Sequence, residues 1–109
     1  MHKKLKPEMI VLVAERFRAL AEPARLQIMQ ALREGERSVG DLVEITGFGT
    51  ANVSKHLQQL HGVGFVTRRK DGLFVYYGLA DDDVATLCDI MCGRIAAEAE
   101  HRRRVAKSG

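Results

Sequence analysis

Residues 47–60, with the sequence GFGTANVSKHLQQL, decide the fold of this chain. At about 100° per residue, a helix over 50–60 places Val53, Leu57 and Leu60 together on one apolar face. The opposite face is small, polar and basic, and it consists of Ala51, Ser54, Lys55 and Gln58. Glycines interrupt the chain just before this helix, and Thr50 or Gly49 can cap its free amides. These features are typical of the second helix of a helix-turn-helix.

The preceding residues supply the first helix of that motif. Ser38 resembles an N-cap, and Asp41 fills the acidic position of a capping box three residues later. A short apolar pattern follows, formed by Val39, Leu42, Val43 and Ile45. Because Gly47 interrupts this pattern, the sequence predicts a short helix, a tight glycine turn and then the 50–60 helix.

A β-hairpin is predicted after the second helix. Asp71-Gly72 lies between two runs rich in β-branched and aromatic residues, which is a strong signal for a two-residue loop. This loop predicts the cross-strand pairs Lys70 with Leu73, Arg68 with Val75 and Val66 with Tyr77. One face, formed by Leu73, Val75, Tyr77 and Leu79, should pack on the helices, and the other would show Thr67, Arg69, Phe74 and Tyr76. With Arg68, Arg69 and Lys70 near its tip, the 66–79 hairpin is interpreted as a basic wing.

Helices are also predicted on both sides of this unit. The first covers about 9–20 after Pro7, a second runs from Pro23 to Gly35, and the last begins at the aspartates 81–83 and ends in the basic residues 102–107. The first and last helices have apolar surfaces too wide for a single neighbour. A second subunit is one neighbour that such surfaces can contact.

Length and charge limit the function classes. The 109 residues fit one domain over 1–109, with flexible basic ends at about 1–6 and 104–109. Because 17 Lys and Arg against 14 Asp and Glu give a net charge of only +3, affinity for nucleic acid depends on how the charges are arranged. No apolar run approaches the roughly 20 residues of a membrane span, and no signal-like stretch follows the N-terminal lysines. We expect a cytoplasmic protein with no membrane partner.

Three motifs together resemble the ArsR/SmtB family of winged helix-turn-helix transcriptional repressors. They are residues 22–29 (EPARLQIM), residues 53–60 (VSKHLQQL) and Tyr76-Tyr77, and the likeness extends over about 9–96. The resemblance implies a mainly α fold with a small β-hairpin: four helices, the hairpin and a fifth helix. It also implies a homodimer joined through its first and last helices, which binds a palindromic operator and releases it when an inducer binds. Such a protein is a regulator and not an enzyme.

The resemblance also implies which residues contact double-stranded DNA. The base-contacting positions map onto Thr50, Ala51, Ser54, Lys55 and His56, with Gln58 on the same polar face. Gly49-Thr50-Ala51 replaces the glutamine-serine start that is usual in the family, so one favoured reader of base edges is missing. We expect Arg68, Arg69 and Lys70 to meet phosphates or a minor groove beside the site. DNA binding itself requires no cofactor.

Cys88 and Cys92 are the candidate sensor residues. Four positions apart on one helix, they project from adjacent turns, so a soft metal or a metalloid such as As(III) or Sb(III) can bridge them, whereas a direct disulfide is strained. Arsenite or antimonite is therefore the expected inducer class. Two alternatives stay open: the thiols respond to oxidants or persulfides, or both cysteines only pack in the helix seam.

Other sites and classes are less consistent with the sequence. The third helix lacks the cysteine pair of the family's metalloid and lead sensors. A zinc-type site between paired last helices would use Asp81 and Asp83 with Glu98 and His101, but the last two come about one helical turn late. A thiol reductase would need a CxxC pair at a helix start, which is absent. A winged helix that docks on protein or RNA is the remaining alternative.

Overall fold

The computed structural model describes residues 4–108. The elements in chain order are α1 (Pro7–Leu20), α2 (Pro23–Ala31), a 3₁₀ turn (Leu32–Glu34), β1 (Arg37–Ser38), α3 (Val39–Thr46), α4 (Thr50–Gly62), β2 (Val66–Asp71), β3 (Phe74–Leu79) and α5 (Asp83–Ser108). This order confirms the predicted winged helix-turn-helix. The predicted second helix ends earlier than expected and continues as the 3₁₀ turn before Gly35.

Helices α3 and α4 form the predicted helix-turn-helix. The Oγ of Ser38 accepts a hydrogen bond from the Asp41 amide at 3.1 Å, and the Asp41 carboxylate accepts one from the Ser38 amide at 3.1 Å. This reciprocal pair is the expected capping box. Gly47 ends α3 with a φ of 77°, a left-handed conformation that glycine adopts without steric cost. Gly49 is the N-cap of α4, so its first helical residue is Thr50.

Strands β2 and β3 form the wing, but the predicted hairpin register was wrong. The observed pairs are Val66 with Leu79, Arg68 with Tyr77, Lys70 with Val75 and Asp71 with Phe74. The loop is therefore Gly72-Leu73, and Gly72 has the positive φ of 62° that suits the first loop position of a type II′ turn. Leu73 lies at the tip and is 98% exposed, so it does not pack on the helices. Because the shift is two residues along β3, the other inward side chains keep their predicted face.

Strand β1 was not predicted from the sequence. It pairs antiparallel with β3, with Arg37 opposite Tyr77, and the three-stranded sheet has the order β1-β3-β2. A strand of two residues is too short to show the alternating pattern that identifies strands. Its pairing makes β3 the central strand and joins the wing to the segment that leads into α3.

The core lies where α2, α3, α4 and the sheet meet. Its largest fully buried side chains are Ile28, Leu42, Val53, Leu57 and Leu60. The last three are the predicted apolar face of α4. Since burial of one such side chain contributes about 1.5–3 kcal/mol, this face fixes the orientation of α4 on the core.

The outer helices leave large apolar side chains exposed. On α1 these are Met9, Ile10, Val11, Leu12 and Phe17, and on α5 they include Leu87, Ile90, Met91 and Ile95. Residues 104–108, expected to be flexible, continue α5 as a helix, whereas 4–6 adopt no helix or strand. Flexibility of the ends stays a prediction, and its parts at 1–3 and 109 lie outside the described residues.

Candidate nucleic-acid interface

The polar side of α4 is available for contacts. Ala51, Lys55 and Gln58 are exposed, and Ser54 is half-buried, on the side opposite the buried leucines, and Thr50 is exposed at the start of the helix. The first turn of α4 contains no acidic residue and its N-cap makes no side-chain hydrogen bond. The partial positive charge of the free amides there is therefore available to an anion such as a DNA phosphate.

His56 does not belong to this exposed set. Its side chain is 8% exposed, and its Nδ1 accepts a hydrogen bond of 3.1 Å from Nε of Arg25. The proximity of the buried leucine face explains this placement, since His56 lies at the margin of that face. The structure thus corrects the expectation that His56 contacts DNA: its ring packs inside and positions α4.

The surroundings of His56 favour its neutral form. Burial lowers the pKa of His56, and the positive charge of Arg25 lowers it further. Because Nδ1 accepts a hydrogen bond, the proton of the neutral ring is assigned to Nε2. Protonation of Nδ1 would remove the acceptor and place a second cation against Arg25.

Arg25 makes contacts in this region that the sequence did not predict. Besides His56, it donates to the backbone oxygen of Ala19 at 3.2 Å and to the side-chain oxygen of Gln59. It therefore connects the end of α1, the start of α2 and the recognition helix α4. An available signal was its position in the first turn of α2, where the helix dipole disfavours a cation unless acceptors from elsewhere bind it.

The three wing cations do not have the same environment. Arg68 and Lys70 are exposed and form no ion pair within residues 4–108. Arg69 is paired with Glu36, whose hydrogen bonds and charge raise the pKa of the arginine. The structure therefore leaves two of the three predicted wing cations available to a ligand.

The two cysteines occupy different environments on α5. Both are free thiols; Cys88 is half-buried and packs against the core, whereas Cys92 is exposed. Next to Cys88, Asp89 accepts two hydrogen bonds of 3.0 Å from Arg33. These hydrogen bonds lower the pKa of Asp89. Helix α5 is thus joined to the 3₁₀ turn beside Cys88.

The zinc-type residues are separated within one chain. Asp81 accepts a hydrogen bond of 2.9 Å from the Asp83 amide, which is a helix-start interaction. Glu98 follows Asp83 by 15 positions on α5, a separation of roughly 22 Å along the helix. No cluster of three or more His, Cys, Asp or Glu suited to a metal occurs in residues 4–108 of one subunit. Use of these four residues as a site between subunits stays a prediction.

Comparison with known proteins gives a consistent result. Residues 22–68 match the family model described as "Bacterial regulatory protein, arsR family". A probable mercury resistance operon repressor of Streptomyces lividans is 36% identical over 99 residues, with 79% of each chain covered. The matched region of the family model includes α2, α3, α4 and the start of the wing.

Solved structures extend this similarity to the whole fold. The crystal structure of Mycobacterium tuberculosis Rv0081 has a TM-score of 0.77 at 35% identity, covering 90% of this chain and 98% of that one. A solution structure of Mb0332 from Mycobacterium bovis, fragment 1–100, also has a TM-score of 0.77, at 33% identity and with 93% and 95% of the two chains covered. That fragment is described as a homodimeric winged helix-turn-helix DNA-binding domain.

None of the helices within residues 4–108 is long and apolar enough to cross a membrane.

Proposed function

Because the chain belongs to the ArsR family of bacterial regulatory proteins, we propose that it is a homodimeric transcriptional repressor that binds a palindromic DNA operator. The observation that most supports this function is the exposed polar side of α4, which includes Ala51, Lys55 and Gln58 and lies opposite a fully buried apolar side. The two α4 helices of the dimer would enter successive major grooves about 34 Å apart. Arg68 and Lys70 would contact flanking phosphates.

The dimer interface proposed here consists of α1 and α5. Both helices expose large apolar side chains, among them Phe17 at 55% and Met91 at 58%. Contiguous exposed apolar surface of this kind marks interaction sites in small proteins. Its symmetric burial against a second copy would explain why these helices are apolar beyond the side that contacts the core.

The inducer is proposed to be a soft metal ion or metalloid that binds Cys88 and Cys92. Thiolates prefer soft ions, and the similar Streptomyces protein is named for mercury resistance. As(III) or Sb(III) would need a third thiolate, which the partner subunit can supply. Since Cys88 packs against the core, its recruitment to a metal would move α5 relative to the core and so change the spacing of the two α4 helices. Such a ligand can release the operator only if it binds the dimer conformation that does not fit DNA more tightly than the conformation that does.

The DNA function can be tested with the DNA upstream of the chain's own gene. Footprinting should show protection of two half-sites about 10 base pairs apart, with the dimer as the bound species. Binding without sequence preference, or retained dimerisation without any protection, would contradict the proposal. The second result would favour a winged helix that docks on protein or RNA.

The sensor requires a separate experiment. Operator release by Hg(II), Cd(II), arsenite, antimonite, peroxide and polysulfide should be compared in the wild type, Cys88→Ser, Cys92→Ser and the double variant. A metal or metalloid sensor predicts release of the wild type by the soft ions and loss of that response in the double variant. Release by peroxide or polysulfide alone would identify the thiol-oxidant alternative, and equal release from all proteins would reject the cysteines as the sensor.

A further inference from the structure

The middle cation of the wing, Arg69, is paired with Glu36 at the protein surface, with about half of its side chain exposed. The Nε of Arg69 lies 3.2 Å from each carboxylate oxygen of Glu36, and its Nη2 lies 3.1 Å from Oε1 of the same carboxylate. A second carboxylate, that of Asp71, is 3.7 Å from Nη1. An arginine that faces a carboxylate in this way has a fixed direction, and its charge is largely balanced.

An aromatic ring holds the same guanidinium from another side. Arg69 and Tyr76 are directly opposite each other on β2 and β3, and the guanidinium carbon lies 5.0 Å from the centre of the Tyr76 ring. The Phe74 ring packs next to Tyr76, with 6.4 Å between ring centres. Arg69 is therefore held by a carboxylate and by a cation–π contact at the same time.

A glycine in the central strand lets the Glu36 side chain reach β2. Gly78 of β3 is buried, and a Cβ atom added there would lie 3.2 Å from Cγ of Glu36 and 3.3 Å from Oγ1 of Thr67. Both distances are shorter than ordinary van der Waals contact. Glycine inside a strand weakens the strand, and it often marks the close approach of another group. Here that group is the side chain of Glu36, which lies just before β1 and crosses β3 to reach Arg69 on β2.

We propose that Glu36, Arg69 and Tyr76 form a wing brace, in which Arg69 is a positioning residue and not a phosphate contact. The brace fixes the direction of the wing relative to the segment before α3, and so relative to α4. The phosphate contacts of the wing then fall to Arg68 and Lys70, which have no ion pair within the described part of the chain. The effect of the brace on operator binding rests on the proposed DNA-binding function, whereas the brace itself does not.

The direction in which Glu36→Gln changes operator affinity distinguishes the brace from its main alternative, in which Arg69 contacts a phosphate. Glu36→Gln removes the charge of the carboxylate while keeping its shape. If Arg69 only positions the wing, this change weakens operator affinity about three- to tenfold and does not steepen the salt dependence, because Arg68 and Lys70 are then less well placed on their phosphates. If Arg69 instead leaves Glu36 to bind a phosphate, the same change strengthens binding and steepens the salt dependence. The second result would overturn the proposal.

Arg69→Lys also distinguishes a positioning role of Arg69 from a phosphate contact. Lysine keeps the positive charge but cannot reproduce the planar contacts with a carboxylate and a ring. The brace predicts that this variant weakens binding as Glu36→Gln does, whereas near wild-type affinity would overturn the proposal. In contrast, Arg68→Ala and Lys70→Ala should each reduce the slope of log affinity against log salt by about 1.8, because each substitution removes one phosphate contact from both subunits of the dimer.

A measurement on the free protein tests the brace without DNA. Amide exchange in β2 should be faster in Glu36→Gln and Arg69→Lys than in the wild type. Glu44→Gln is the matched control, because Glu44 is an exposed acidic residue of α3 outside the wing. Unchanged exchange in both brace variants would overturn the brace. Faster exchange in a protein that binds no operator would contradict the proposed function and still support the brace.

Discussion

Arg25 donates a hydrogen bond from Nε to Nδ1 of His56, with 3.1 Å between the two nitrogens. The same guanidinium donates to the backbone oxygen of Ala19 at 3.2 Å. Because these acceptors lie on α4 and α1 while Arg25 belongs to α2, one side chain connects three helices. The direction in which α4 presents its polar side therefore depends on a contact that is remote from that side.

His56 should make stability depend on pH. Burial and Arg25 lower its pKa in the folded protein below the value of about 6.5 expected in the unfolded chain. As the pH falls, the unfolded chain therefore binds a proton first. The contribution of His56 is fully present above about pH 6.5 and is lost as the pH falls towards the folded-state pKa, with a slope of at most about 1.4 kcal/mol per pH unit.

Urea unfolding between pH 7.5 and 5.5 measures this effect. His56→Gln keeps an oxygen that can accept from Arg25 but does not titrate, so its free energy of unfolding should change less over this range than that of the wild type. His61→Gln is the control, since His61 is an exposed histidine of the same helix. Equal pH dependence in the wild type and His56→Gln would rule out this role for His56.

Removal of Arg25 should destabilise the fold. Arg25→Ala leaves the acceptors on His56 and Ala19 without their donor, and we expect a loss of about 1–3 kcal/mol in the free energy of unfolding. Arg18→Ala, at an exposed arginine of α1, should change stability by less than about 0.5 kcal/mol. Urea titration of both variants checks the difference, and a similar small change in both would contradict the structural role of Arg25.

Much of the fold follows from local sequence signals. The capping box at Ser38 and Asp41, the glycine turn and the spacing of Val53, Leu57 and Leu60 each depend on residues close in sequence, and the structure agrees with all of them. The wing was also correctly located. Its register was not, because Gly72 can occupy either position of a two-residue loop; Asp71 does not have the positive φ that a type I′ loop at 71–72 requires, and it pairs with Phe74 instead.

The candidate site depends more on contacts between distant residues. Arg25 and His56 are 31 positions apart, and Glu36 and Arg69 are 33 apart. Hydrophobic periodicity contains no information about such polar pairs. The family resemblance placed His56 among the DNA contacts and the predicted basic wing placed Arg69 there, whereas the structure buries His56 and pairs Arg69 with Glu36. The exposed residues Ala51, Lys55 and Gln58 lie on the side that the periodicity predicted.

The dimer interface should be sensitive to a charge on its exposed apolar surface. Phe17→Asp places a carboxylate where the proposed interface excludes water, so we expect at least a tenfold weaker dimer. Ile45→Asp is the control, because Ile45 is an equally exposed apolar residue of α3, at 53% against 55% for Phe17. Sedimentation equilibrium should show a shift to monomer in Phe17→Asp only. A dimer unaffected by Phe17→Asp would exclude α1 from the interface.

In the proposed function the polar side of α4 contacts the operator, and the salt dependence of operator binding by Lys55→Ala tests this role of α4. Fluorescence anisotropy should compare the DNA upstream of the gene with a scrambled duplex, using wild type, Lys55→Ala and the control Lys107→Ala, at an exposed lysine near the end of α5. We predict that the wild type and Lys107→Ala prefer the upstream DNA. Lys55→Ala should bind it more weakly, with a slope of log affinity against log salt smaller by about 0.9 per lost phosphate contact. Equal affinity and slope in Lys55→Ala and wild type would contradict the proposed contact between α4 and DNA.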